Sequence, residues 1–265
     1  MDTLKILLMN TPVLGVSVFI LAALLSTLIC YGMTRLLLKS RIGADSELLA
    51  RGILTRVGAL HALILALMFA QEMADYRDIS RIVSKEASAI ADVYIGLLDY
   101  DAEDQQSTGA IRGLIFDYVK TAAEKDRVAL TEARISQRTW INYYRINRQL
   151  RDLQPGNGDQ EDLRTQMLAD WDAVSDFHLR LRTIARYEAP GFFWLVIISG
   201  FLAVAILCYA YSPTVANLAM LGTYAAFNGL IMYVIFSLAN PFTGALAIDA
   251  NVLDSLLVMM AKTTT

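Results

Sequence analysis

The chain alternates between stretches with almost no charge and one long block rich in it. From Ala189 to Ile248 there is no Asp, Glu, Lys, Arg or His. About 20 apolar residues cross a ~30 Å hydrocarbon core as a helix, so this run is long enough to cross twice. Tyr211-Ser212-Pro213-Thr214 supplies a turn signal at its middle. The pattern predicts a helical hairpin over 191–211 and 214–239. Leu14–Leu38 is apolar except for Arg35, and Gly52–Ala70 except for Arg56 and His61. These runs predict two more spans, with Arg35 and Arg56 snorkelling to the headgroups beside the connection between them. The N-terminal run starts too late, is too long and lacks a small-x-small cleavage site, so it reads as a span rather than a cleavable signal peptide.

Between the pairs of spans the apolar positions take helical spacing. Val83, Ile90, Val93 and Leu97 do so, as do Ile111, Leu114, Ile115, Tyr118, Val119 and Ala122. Leu163, Met167, Trp171, Val174, His178, Leu181 and Ala185 form a third stripe. Each marks an amphipathic helix with one buried face. Over 128–153 the pattern is weaker, with Ile135, Ile141, Tyr144 and Leu150 as the apolar positions. Breaks are expected at Asp99–Gly109 and at Pro155-Gly156-Asn157-Gly158. No Gly or Pro interrupts Ala70–Ile95, so the second span should continue out of the bilayer as one long helix. The expected fold is an all-α membrane protein with four transmembrane helices, two then two, and a helical extramembrane domain inserted between spans two and three. The expected divisions are 1–71 (spans one and two), 72–188 (extramembrane domain), 189–248 (spans three and four) and 249–265 (a short C-terminal helix and tail).

Charge adds orientation. The connection 35–56 carries Arg35, Lys39, Arg41, Arg51 and Arg56 against Asp45 and Glu47. Positive short loops stay cytoplasmic. Both termini and the central domain are therefore expected on the periplasmic side of a bacterial inner membrane. Residues 72–188 hold 16 Lys and Arg against 21 Asp and Glu, a net of −5. That acidity argues against nucleic acid as a partner. The two cysteines, Cys30 and Cys208, fall inside expected spans, which leaves no disulfide framework and no Cys zinc site.

Several residues could carry chemistry. Gln71, Glu72, Asp75 and Asp78 lie where the second span leaves the membrane. In a symmetric oligomer they would form acidic rings at a pore mouth; otherwise they are a helix entering water. Phe69, one turn earlier, is either a pore constriction or a packing residue. His61 lies near mid-span, where an ionisable side chain is a functional candidate or a partner of a neighbouring helix. Asn217 and Asn228 in the last span could bond across helices. Asn240, Pro241 and Gly244 mark a structural break at the end of that span. Asp99, Asp101, Glu103 and Asp104 form an acidic turn without the spacing of a calcium loop, and His178 reads as a satisfied core histidine. No nucleophile triad, metal-ligand cluster or phosphate loop is found. No enzyme activity, metal or cofactor is expected.

Four short motifs come in order: Lys85-Glu86-Ala87-Ser88-Ala89-Ile90, Tyr94-Ile95-Gly96-Leu97-Leu98, Phe116-Asp117-Tyr118-Val119 and, after the last span, Asn240-Pro241-Phe242-Thr243-Gly244. With two spans before them and a hairpin of spans around them, they resemble the bestrophin-like domain family of bacterial integral membrane proteins over about 12–258. The chain departs from that family's pattern at Asp75-Tyr76-Arg77-Asp78, which is less basic, and at Asp99, where a Pro is expected. The resemblance implies kinship with bestrophins, which are oligomeric anion channels. The expected function is a homo-oligomeric channel for small inorganic ions with its pore lined by the second span. The local carboxylates favour cations. The alternative is a non-conducting scaffold or sensor whose periplasmic domain binds a partner.

Overall fold

In a computed structural model, residues 11–38, 44–104, 108–123, 137–185, 191–242, 246–248 and 251–263 are described. Among them every regular element is helical: α1 Pro12–Leu38, α2 Ala44–Asp104, α3 Gly109–Thr121, α4 Gln137–Arg151, α5 Gly158–Ala185, α6 Gly191–Leu207, α7 Val215–Leu238 and α8 Asn251–Thr263. α2 runs unbroken from the second apolar stretch into the charged block, as the absence of Gly and Pro over 70–95 requires. Four of the helices, α1, α2, α6 and α7, are long and apolar enough to cross a membrane. The chain divides into two compact units, Met1–Tyr76 with Glu188–Ala247, and Arg77–Tyr187 with Ile248–Thr265.

In the first unit α1 packs along α6 and α7. Small residues let the backbones approach, as is usual where lipid supplies no hydrophobic drive between helices. A Cβ on Gly229 would meet the Phe19 carbonyl oxygen at 2.8 Å and Ile20 Cα at 2.9 Å. Around this approach Phe19 meets Tyr233 edge-on with centroids 5.7 Å apart, and Ala23, Leu65, Phe201 and Ile235 fill the core. Leu21, Leu25, Leu36, Leu60, Leu67 and Leu195 stay exposed. A water-facing surface does not tolerate so continuous an apolar cover, and a bilayer does.

The ends of these helices are satisfied by polar side chains. Thr214 accepts from the Asn217 amide at 3.2 Å, and Asn217 Nδ2 donates to Ser212 O at 2.8 Å. Asn217 therefore closes its own helix start rather than bonding across helices. At the other end Asn240 Nδ2 donates to Phe236 O at 2.7 Å, satisfying a carbonyl of the last turn of α7. Pro241 follows in a turn; Gly244 and Ile135 lie outside the described residues.

The second unit buries the stripes expected of its helices: Ile90, Val93 and Leu97 from α2, Ile115 and Tyr118 from α3, Met167 and Trp171 from α5. α8 adds Leu256 and Met260, and Tyr94 Oη donates to Met260 O at 3.3 Å. Gly96 is small because Met167 Cγ comes within 2.9 Å of where its Cβ would be. Asn157 begins α5 by accepting from the Gln160 amide at 2.8 Å, while Gln160 Oε1 reaches back to Gly156 N at 2.6 Å; this is a variant of the capping box.

α4 corrects the sequence reading. It is a well-formed helix, but its buried side is Thr139, Tyr143, Ile146 and Leu150. Ile141 is 45% and Tyr144 65% exposed. The sequence had placed both on the apolar face. Tyr143 wins the core position because it stacks on Trp171, with centroids 5.5 Å apart and planes at 12°. The Trp171 indole N–H also donates to the Tyr143 carbonyl at 3.2 Å.

Candidate functional site

The residues singled out near the end of the second apolar stretch lie on consecutive turns of α2, and its faces sort them. Gln71 is exposed and donates from Nε2 to Asp75 Oδ1 at 2.9 Å, one turn on. Such a contact pre-orients an exposed pair without neutralising the carboxylate. Glu72, a neighbour of Asp75 three positions back, lies on the core-facing side with Leu65, Met68 and Ile79 and is only 8% exposed. Asp78 is exposed and held by Arg81 at 3.1 Å, which offsets its charge. Phe69 is outward-facing. The structure thus brings Gln71 and Asp75 together, sets Glu72 beside Asp75 on the core side, and pairs Asp78 with Arg81. No Lys or Arg occurs between Arg56 and Arg77. Among the described residues neither Glu72 nor Asp75 forms an ion pair.

His61 is not part of that group. It is 3% exposed and its Nε2 lies 3.1 Å from Asn228 Oδ1 in α7. Asn228 Nδ2 already donates to Tyr224 O at 2.9 Å, so its Oδ1 is the acceptor and His61 Nε2 carries the proton. The ring lies over Gly200 of α6, where a Cβ would stand 2.6 Å from Nδ1. His61 therefore ties α2 to α6 and α7, and Asn228 makes the cross-helix bond expected of it.

A polar cluster that hydropathy could not reveal closes the other end of the first unit. Arg35 Nη1 donates to Tyr211 O at 2.9 Å, Tyr31 Oη to the same oxygen at 2.9 Å, and Arg51 Nη2 to Ala210 O at 3.2 Å. The Arg51 guanidinium also lies 4.9 Å from the Tyr211 ring centroid. The uncharged turn after α6 borrows its cations from α1 and α2, where they meet free helix-end carbonyls.

In the second unit Asp101, in the last turn of α2, holds the start of α3. It accepts from Thr108 N and Oγ1, both at 2.8 Å, and faces Arg112 at 3.4 Å. Asp99 is exposed on the opposite side of α2. His178 Nδ1 sits 3.1 Å from Glu86 Oε1, which also accepts from Tyr118 Oη at 3.3 Å. Both members of that pair are buried. Neither cysteine is bonded to the other, and among the described residues no group of three His, Cys, Asp or Glu is placed to hold a metal.

The model of the bestrophin-like domain family matches residues 20–253. The chain belongs to the bestrophin-like family. Its fold is shared with the crystal structure of a bacterial bestrophin homologue from Klebsiella pneumoniae carrying a point mutation. The TM-score is 0.69 at 13% identity, covering 94% of this chain and 99% of that one. A second mutant of the Klebsiella homologue gives a TM-score of 0.64 at 14% identity over 93% and 98%. A structure described as a membrane protein gives 0.66 at 13% identity over 92% and 97%. No curated protein matches the chain. The Glu86-containing and Asn240-Pro241 motifs that suggested a bestrophin-like chain are here seen at work: Glu86 in the buried pair, Asn240 at the end of α7.

Proposed function

We propose that the chain is one subunit of a homo-oligomeric membrane channel for small ions, with α2 lining the pore. The family supports a channel in broad terms, since bestrophins are oligomeric channels. The observation that carries the finer reading is the Gln71–Asp75 face of α2. It is outward-facing in the single chain, follows directly on an apolar stretch, and carries a carboxylate without a cationic partner. Repeated around a symmetry axis, Asp75 forms a negative ring, while Phe69, about 120° away around the same helix, lies off that face. A carboxylate ~8 Å from a cation, at an effective dielectric near 20, contributes about 2 kcal/mol of attraction. The pore reading favours cations.

The test is conductance in planar bilayers. Asp75→Asn lowers cation current severalfold at low ionic strength, and the deficit vanishes toward 1 M salt, where the Debye length falls to about 3 Å. Glu72→Gln, on the core-facing side, changes current less than Asp75→Asn does. A wild-type protein with no current above empty liposomes removes the channel reading and leaves the scaffold. An Asp75→Asn variant that conducts like wild type at low salt removes Asp75 from the pore.

For orientation we propose a bacterial inner membrane with the short connections cytoplasmic and both termini and the 72–188 block outside. Arg35 and Arg51, gathered on the carbonyls of 210–211, support it, because both short connections then share one cationic end. A reporter active only in the periplasm should work when inserted at Gln105 and fail at Gly43. The reverse pattern inverts the topology.

A further inference from the structure

α4 presents a face that its own domain does not use. With Tyr143, Ile146 and Leu150 turned inward, Arg138, Ile141, Arg145 and Arg148 run along the outside at helical spacing, with Tyr144 beside them. The helix has four arginines and no acidic residue, within a block whose net charge is −5. Arg148 reaches Asp152 only at 3.8 Å with both ends exposed, a contact worth little. Two large apolar side chains thus stand in solvent, framed by guanidiniums.

The same unit carries the complement. On α2, Ile90, Val93 and Leu97 are buried, so Asp92, Ile95 and Asp99, at i, i+3 and i+7, point away from the core. Ile95 is 44% exposed. α5 flanks this stripe through Leu163 and Met167 against Gly96. It brings half-buried Asp170 toward Asp92; burial and the Asp92 charge push the Asp170 carboxyl above its usual range. Among the described residues Asp92, Asp99 and Asp170 form no ion pair. The seam is an apolar centre framed by uncompensated carboxylates.

We propose that the α4 face of one subunit docks on the α2–α5 seam of the next copy of this chain, with Ile141 and Tyr144 packing on Ile95 and the arginines of α4 facing Asp92, Asp99 and Asp170. The inference rests on the homo-oligomer reading and names its contact. Because the two surfaces differ, the contact is head-to-tail, the kind from which cyclic rings are built, rather than a face-to-face pairing of two subunits. Charge of opposite sign on the two faces also fixes the register and suppresses self-pairing of either face.

Full-length chains with Cys30→Ala and Cys208→Ala, one carrying Tyr144→Cys and the other Ile95→Cys under different tags, are co-expressed and oxidised in the membrane. The expected product is a covalent dimer bearing both tags, absent when either chain is expressed alone. Adding Arg145→Glu and Arg148→Glu to the Tyr144→Cys chain abolishes it. Placing Asp92→Arg and Asp170→Arg on the Ile95→Cys chain restores it. Tyr144→Cys chains that link to each other overturn the head-to-tail contact. An oligomer by light scattering with no mixed cross-link overturns the interface but not the homo-oligomer; a monomer overturns both. Loss of binding to phosphatidylglycerol vesicles in the arginine variants, with no mixed cross-link, assigns the face to lipid instead.

Discussion

Replacing His178 with leucine lowers the apparent melting temperature of the protein by roughly 5–10 °C, since stranding one member of a buried hydrogen-bonded pair costs about 1–3 kcal/mol. The reason is what stays behind. Glu86 and His178 are both nearly inaccessible, with Nδ1 and Oε1 3.1 Å apart. They lie in a wall of aromatic rings: Trp140 meets the His178 ring edge-on at 6.2 Å, and Tyr118 meets Trp171 at 5.3 Å. Without the imidazole, Glu86 keeps the Tyr118 hydroxyl at 3.3 Å but loses the ring nitrogen at 3.1 Å. A buried carboxylate so deprived loses more than one hydrogen bond is worth. The same logic predicts the rescue. Combining His178→Leu with Glu86→Leu removes the stranded polar group and recovers at least half of the lost stability, although two polar residues are now gone. The measurement is thermal unfolding of all three variants in one detergent. A double variant that loses the sum of the two single losses would show that each residue acts alone and that the pair is not a unit.

How much of this was visible in the sequence depends on which physical signal a residue sends. The four long apolar helices were legible because a bilayer punishes charge over about 20 residues at once, a long-range average that single substitutions hardly disturb. The continuity of α2 was legible from the lack of Gly and Pro. The α3 and α5 core stripes were legible because Ile115, Tyr118, Met167 and Trp171 repeat at helical spacing and are buried as that spacing requires. α4 was misread because Trp140, Ile141, Tyr143, Tyr144 and Ile146 offer apolar side chains on more than one side. Only the Tyr143–Trp171 stack decides which side faces in. For the acidic group after the second apolar stretch, helical spacing sets Gln71, Asp75 and Asp78 on one face with Glu72 beside it, but not which of them are buried or paired. Burial of Glu72 and the Asp78–Arg81 contact separate them. The Glu86–His178 pair was invisible for another reason: its members are 92 positions apart, and no local pattern couples them. Arg35 and Arg51 were legible as basic, but their partners, the carbonyls of 210–211, carry no side-chain signal at all.

The close approach of α1 and α7 yields the second large effect. Gly229→Ala destabilises the membrane unit by about 1–3 kcal/mol, as overpacking of a tight interior does, and Gly229→Val leaves little folded protein. The space is closed by backbone: a Cβ would stand 2.8 Å from Phe19 O, 2.9 Å from Ile20 Cα and 3.1 Å from Ala23 Cβ. A flexible side chain could swing aside, but a helix backbone must move as a whole, and moving α1 also disturbs the Phe19 rings against Tyr233 and Phe236. Gly32 and Gly58 serve as internal controls, because nothing lies within 4 Å of a Cβ built on either. Alanine there gains helix propensity, up to about 1 kcal/mol over glycine. The variants are compared by the fraction that survives heating as a single size-exclusion peak in detergent. The expected order is Gly32→Ala and Gly58→Ala at or above wild type, Gly229→Ala well below, and Gly229→Val lowest. A Gly229→Ala protein that survives heating as well as the two controls would mean that α1 and α7 do not meet backbone to backbone.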